Sequence, residues 1–218
     1  PLNYPIGTGS VYTPVSVKFD SHTSTSGHYI EVSATALEES NVIESGASLT
    51  KHWTVSTSGM SSMSGSITMT YDGSEVPVSS DESSYISAYR DDSSWAVGEI
   101  SDVDEASDQA TFNFASLAEL NGGFTAGELS AFIPEPATPA SNIRFANATT
   151  SSMTVNWANG NGANRIVVAR EGSAPDVSPS DLSTYTANAA YGTSGTALGS
   201  GFVVYNGSEN SVDITGLS

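Results

Sequence analysis

The chain contains no cysteine, which excludes disulfides, thiolate zinc sites and cysteine nucleophiles. Basic residues are scarce: six Lys and Arg stand against 24 Asp and Glu, a formal net charge of −18. Nucleic-acid binding needs clustered Lys and Arg, and attraction to an anionic membrane needs a polybasic patch, so neither is an expected partner. No apolar run approaches the length of a membrane-spanning helix, so no membrane insertion is expected. The chain opens Pro1-Leu2-Asn3-Tyr4-Pro5, with no initiator Met and no basic signal-peptide start. It reads as an internal piece of a longer, processed protein. What remains is an acidic, soluble surface. Such a surface suits a salty extracellular medium, where self-repulsion is screened, and equally serves plain solubility.

A length of 218 residues is enough for two domains, each with its own core. The stretch Phe132 to Ala140, Phe-Ile-Pro-Glu-Pro-Ala-Thr-Pro-Ala, marks the division. Proline lacks a backbone donor and has a fixed φ. Three prolines within six residues therefore exclude a helix or a central strand and give an extended, semi-rigid connector. Composition changes across it: residues before Ala140 hold 19 acidic and 3 basic side chains, and the remainder holds 5 and 3. The expected organisation is an acidic domain over residues 1–131, a Pro-rich linker over 132–140 and a second domain over 141–218.

Apolar residues alternate with Ser, Thr and Gly in short runs between polar turns, which is the pattern of half-buried antiparallel strands. Val15, Val17 and Phe19 alternate, then Ile30 to Ala36, Trp53 and Val55, Ile67 to Tyr71, Tyr85 to Tyr89, and Phe112 and Phe114. In the second part Ile143 and Phe145, Met153 to Trp157, Arg165 to Arg170, Phe202 to Tyr205 and Ser211 to Thr215 continue the pattern. The spacing predicts an all-β protein built as two tandem, immunoglobulin-like β-sandwiches. Ser56 to Ser66, rich in Ser, Gly and Met, reads as a loose hairpin connection. Asn206-Gly207 reads as a tight hairpin turn, since both residues tolerate positive φ.

Few side chains carry a chemical signature. Ser48-Leu-Thr-Lys51 matches a Ser-x-x-Lys catalytic pattern, but that chemistry needs Ser at a helix start, and here Lys51 opens the strand-like Lys-His-Trp-Thr-Val. Paired carboxylates hydrolyse glycosides only within a cleft, and nothing marks one. No enzyme is expected. His22, His28 and His52 could meet as metal ligands, against the default of three surface histidines. Asp102, Asp104 and Asp108, with Glu105, gather oxygen donors of the kind Ca²⁺ takes, without the spacing of an EF-hand. A cation there would relieve repulsion between neighbouring carboxylates. These three aspartates are the candidate metal residues and Ca²⁺ the one candidate cofactor, with a solvated acidic loop as the competing reading. Asp72 and the pair Asp91-Asp92 are further carboxylates of this kind. Tyr85, Tyr89 and Trp95, or Tyr185 and Tyr191, would stack on sugar rings if exposed and would fill a core if not.

Pro139-Ala140 leads into Ser141-Asn142-Ile143, followed by Ser152-Met153-Thr154-Val155-Asn156-Trp157, Arg165-Ile166-Val167-Val168-Ala169-Arg170 and Val212-Asp213-Ile214-Thr215-Gly216-Leu217. Together these resemble a fibronectin type III domain over residues 139–218, which implies that Trp157 anchors the core. Gly160-Asn161-Gly162 and the Thr184 to Tyr191 insertion are similar to copies in secreted multidomain proteins of Bacteroidetes. Ser218 falls where that family places its last two strands. The resemblance thus implies a C-terminally incomplete domain, completed by a continuing polypeptide or by strands from another chain.

In the first module the resemblance rests on Tyr4 to Thr8, Tyr12 to Val15, Lys51 to Val55, Asp81-Glu82 ahead of Tyr85 to Arg90, Trp95 and Gly123 to Glu128. These resemble a β-sandwich repeat of Bacteroidetes surface proteins exported by the type IX route. The two resemblances imply a non-catalytic spacer or adhesion segment of a large bacterial surface or secreted protein. The alternatives are a carbohydrate-binding accessory module of a secreted polysaccharide-degrading enzyme and a surface-filament subunit completed by strand donation. The expected partners are neighbouring domains of the same polypeptide, with glycans or surface proteins, in an extracellular or cell-surface location.

Overall fold

Short strands β1 (Leu2–Tyr4), β2 (Gly7–Thr8) and β3 (Val11–Tyr12) lead into two long ones, β4 (Val15–Thr35) and β5 (His52–Thr70). The computed structural model describes residues 1–91 and 94–218, in which every regular element is a strand or a three-residue 3₁₀ turn. The protein is all-β. It divides into two units, Pro1–Pro134 and Glu135–Ser218, each with its own hydrophobic core.

The first unit continues through β6 (Ile86–Arg90), β7 (Trp95–Val97), β8 (Val103–Asp104), β9 (Gln109–Phe114) and β10 (Gly122–Gly127). β4 and β5 pair antiparallel from Val15 opposite Met69 to Thr35 opposite His52, with three irregularities between. The other edge of β5 is shared. Trp53 to Val55 pair with β10, which carries β6 and β7 beyond it, whereas Gly65 to Thr70 pair with β9 and through it β8. One ribbon thus forks into two leaves. Tyr89 and Phe124 from one leaf meet Phe112 from the other, with ring centroids 5.0 to 5.7 Å apart. These edge-on and tilted contacts are the favoured geometry of aromatic pairs. Around them lie Val15, Val17, Trp53, Val55, Ile67 and Met69, all buried. Their period of two is what sends them to one face.

Three sequence expectations are corrected. Val15–Phe19 and Ile30–Thr35 are not separate strands but parts of β4, interrupted by an excursion over residues 25–28 opposite Gly59, and Ala36 lies just past its end. Ser56 to Ser66 is not a loose connection: it lies inside β5. The alternation of Ile67 and Met69 on the buried face extends into it through Gly65 as far as Met63. Between these positions Ser and Thr occupy the opposite face, and neighbouring strands satisfy the backbone. Gly65 is required there by close approach, because a Cβ would stand 2.0 Å from the Lys18 carbonyl oxygen.

The third correction concerns the second unit, formed by β11 (Ser141–Ala146), β12 (Ser152–Ala158), β13 (Arg165–Ala169), β14 (Ala197–Leu198), β15 (Gly201–Gly207) and β16 (Ser211–Thr215). β15 and β16 do not form a hairpin. Asn206 and Gly207 are the last residues of β15 and pair with Ile166 and Arg165, whereas β16 crosses to the other sheet and pairs with β12. The sheets are β11-β12-β16 and β13-β15-β14. Burial drives the crossing, since Val204 and Ile214 face one core with Val155 and Trp157. The Tyr205 ring packs 5.3 Å from Trp157.

Candidate functional site

The Asp102 and Asp104 carboxylates each serve a backbone donor of their own turn. The Asp102 carboxylate accepts from the Glu99 N–H at 2.8 Å and closes the turn Ile100–Asp102. Asp104 caps the turn Glu105–Ser107 by accepting from the Ala106 N–H. Asp108 sits in the left-handed region with φ 51°, and its carbonyl accepts from the Tyr71 N–H. Asp72 caps the turn Gly73–Glu75, and hydrogen bonds from Ser74 hold its carboxyl below the ordinary range. Asp92 lies outside the described residues. Among the described residues no three His, Cys, Asp or Glu side chains gather as a metal site would require.

The histidines are also dispersed. His28 Nδ1 donates to the Thr25 carbonyl, His52 Nδ1 donates to the Leu37 carbonyl, and His22 lies against the Phe19 ring. Ser48 and Lys51 face different partners. Ser48 Oγ donates to Glu38 Oε1 at 3.0 Å. Lys51 Nζ donates to Glu75 Oε1 at 3.1 Å and to Thr13 Oγ1 within a fully buried pocket. The buried position of Lys51 was missed from sequence. A signal for it existed, since counting back by two from Val55 and Trp53 lands on Lys51.

Two of the aromatic candidates are interior, and Trp95, Tyr185 and Tyr191 are half-buried. Tyr85 and Tyr89 are buried. Burial pushes the Tyr85 phenol up to about 12 and raises Tyr71 further, with Glu82 beside it adding to the effect. Trp95 packs on Phe132 at 4.7 Å and donates to the Asn41 carbonyl. Tyr185 Oη accepts from the Ser180 N–H at 2.7 Å, which lowers its phenol below the ordinary value. Tyr191 Oη accepts from the Glu171 N–H, and its ring packs edge-on against Phe202.

A concavity lies in the second unit. It is a groove of about 680 Å³ between the two sheets. Its floor carries Ile143, Phe145, Met153, Val155, Trp157 and Ile214 from β11, β12 and β16. These are alternate residues, so the floor is a sheet face. Its wall is different: every consecutive residue from Arg165 to Arg170 lines it. A sheet face shows only alternate side chains, so this wall is the edge of β13. That edge is the one not occupied by β15. Ile143 and Phe145 are 64% and 68% exposed. Two buried donors in the lining, Trp157 Nε1 and Arg165 Nε, have no acceptor among the described residues. The alternating apolar residues of the floor are readable in sequence, and an uncovered edge is what an incomplete second domain implies; that β13 carries that edge is not readable.

Searches against family models, curated proteins and solved structures find no match to this chain.

Proposed function

We propose that the protein is a non-catalytic spacer and presenting segment of a larger bacterial surface or secreted polypeptide. Its two tandem sandwiches would be joined by a Pro-rich linker, and the second would be of fibronectin type III kind. The observation that carries this reading is the division of the chain at Pro134 and Glu135 into two units with separate cores. The division falls within the proline run. Phe132 is held in the first unit by Trp95. Thr138 is held in the second by paired hydrogen bonds with Asn161. The residues left between these anchors are few and include Pro134 and Pro136, and such a connector resists bending. The arrangement of β11-β12-β16 and β13-β15-β14, with Trp157 in the core, supports the fibronectin-like assignment. The strongly acidic first unit suits a screened, salty exterior.

The test uses the absence of native cysteine. Leu37→Cys and Val177→Cys place dyes at two exposed positions, one in each unit. Energy transfer between them is expected to give a narrow distance distribution, which broadens in Pro134→Gly/Pro136→Gly while both units keep their unfolding midpoints. Equal breadth in the two proteins would overturn the spacer reading. Saturable binding of soluble glycans would replace it with a carbohydrate-binding module.

A further inference from the structure

Four Asn-Gly pairs occur in the chain, at Asn121, Asn159, Asn161 and Asn206. In such a pair the glycine nitrogen approaches the asparagine Cγ with no Cβ in its way, and the freedom of glycine lets a ring close there. The structure treats the four differently. The Asn121 carboxamide is held at both ends: Oδ1 accepts from the Thr57 N–H and hydroxyl, and Nδ2 donates to the Leu117 carbonyl. Gly122 pairs with Val55 at the start of β10. Asn206 and Gly207 are paired inside β15, and Asn206 Nδ2 donates to the Tyr185 carbonyl. Asn159 Nδ2 donates to the Ser208 carbonyl, and a Cβ on Gly160 would stand 2.0 Å from the Thr138 carbonyl oxygen.

Asn161 differs from the other three. It is exposed, in the loop between β12 and β13. Its Oδ1 accepts from the Thr138 N–H at 2.8 Å, and its own N–H donates to the Thr138 carbonyl at 3.1 Å. Among the described residues nothing accepts from Asn161 Nδ2 or from the Gly162 N–H. Nucleophile and leaving group are therefore both free. The oxygen that gains charge when Cγ is attacked already faces a backbone donor. Arg165 braces the same loop, its guanidinium donating to the carbonyls of Gly160 at 2.9 Å and Ala163 at 3.3 Å. A cation beside these carbonyls favours loss of the proton from the peptide nitrogen between them.

We propose that Asn161 is a self-modification site, converted in the folded protein to aspartate and isoaspartate with water as the only co-reactant. Gly162 N gives up its proton and bonds to Asn161 Cγ. The Cγ–Nδ2 bond breaks, and ammonia leaves carrying that proton. Water then opens the ring. Opening at the new N–Cγ bond gives aspartate, whose carboxylate still accepts from the Thr138 N–H. Opening at the original peptide bond gives isoaspartate, which routes the main chain through Cβ and Cγ and lengthens it by one carbon. That insertion takes the Asn161 N–H and its side-chain oxygen out of register with Thr138, so the paired hydrogen bonds open. This goes beyond the spacer reading, because it gives the second unit a chemical change that alters its own hold on Thr138, and its failure would leave that reading intact.

The experiment ages the full chain in mildly alkaline buffer, folded and in urea. Digestion and mass mapping then follow each site, with aspartate and isoaspartate peptides separated by chromatography. In urea the four sites are expected to convert at similar rates. In the folded protein Asn121 and Asn206 are expected to slow about tenfold or more, because a held carboxamide does not reach the attacking geometry. Asn161 is expected to keep or exceed its urea rate. Gly162→Ala, whose Cβ would come no closer than 3.2 Å to Pro136, is expected to slow Asn161 by a similar factor with an unchanged melting temperature. Exchange of the Thr138 amide is expected to be slow in fresh protein and in Asn161→Asp, and fast in the purified isoaspartate form. Protection of Asn161 by folding as strong as that of Asn121 would overturn the proposal. Modification led by Asn159 would overturn it too, as would a Thr138 amide that stays protected in the isoaspartate form.

Discussion

Lys51 Nζ lies 3.1 Å from Glu75 Oε1, with side-chain exposures of 0% and 10%. The pleat explains why a lysine is inside: Lys51 precedes Trp53 by two residues and points to the same face, 5.5 Å from its ring centroid. Glu75 is held in turn by the Asp72 N–H on its second carboxylate oxygen. A pair of this kind is worth little against an apolar substitute, but removing one partner strands the other charge. Lys51→Met alone is expected to destabilise the first unit by about 3–5 kcal/mol, whereas Lys51→Met/Glu75→Leu recovers most of the loss. Urea unfolding of the three proteins checks this. Equal losses in the single and double variants would mean that packing, not the stranded carboxylate, sets the cost.

The buried tyrosines give a second expectation. Burial raises the Tyr85 phenol to about 12, and Tyr71 is raised beyond it. The phenol of an unfolded chain titrates near 10. Between those values the unfolded chain has lost a proton that the folded unit keeps, so rising pH favours unfolding. Stability from this source is complete below pH 10 and is lost as pH climbs through 12, with a slope of about 1.4 kcal/mol per pH unit for each such tyrosine. Tyr85→Phe is expected to reduce the alkaline slope of the urea midpoint by one proton's worth and to leave its neutral slope unchanged. An unaltered alkaline slope would remove Tyr85 from this role.

Gly65 gives a third. Its missing side chain lets β4 and β5 close at Lys18, with the Phe114 ring 3.0 Å from where a Cβ would stand. Gly65→Ala must push one strand away, at a cost of about 1–3 kcal/mol. The neighbouring exposed Ser61→Ala is expected to change stability by less than about 0.5 kcal/mol. Similar effects of the two substitutions on the urea midpoint would contradict the close-approach argument.

Calcium supplies the fourth. Asp102 and Asp104 are engaged with backbone donors of their own turns. Millimolar Ca²⁺ or chelation is therefore expected to leave the melting temperature unchanged, and Asp104→Ala to cost about 0.5 kcal/mol through the lost cap. A calcium-dependent rise in melting temperature, abolished in Asp104→Ala, would restore an ion site in this loop.

Much of the fold was legible because alternation is a direct record of burial. Val15, Val17, Trp53, Val55, Ile67, Met69 and Phe112 were expected in strands and are in the core. What failed was connectivity. Ser56 to Ser66 looked like a loop because Ser and Gly are turn formers in isolation, yet pairing with β4 and β9 overrides that preference. Asn206-Gly207 carries a hairpin signature, but Tyr205, Val204 and Ile214 bury more by joining two sheets than by closing a turn. Which strand would border the groove escaped for a similar reason. Its floor is a pattern within single strands, whereas its wall exists only because β13 has a neighbour on one side.

The interruptions in the β4-β5 ribbon have a consequence for how it finds its alignment. Its middle is serine-rich and polar on both faces, so hydrophobic burial there distinguishes poorly between neighbouring alignments. The pairing shifts between Phe19 and Ser21, between Thr23 and Ser24, and again between Ser24 and Tyr29. A uniform slip by one residue cannot satisfy segments offset by different amounts, and at Gly59 it would bring Ser58 or Met60 to a position with φ +69°. The irregularities therefore act like the wards of a key: they let a low-complexity stretch close in one setting and reject its near neighbours.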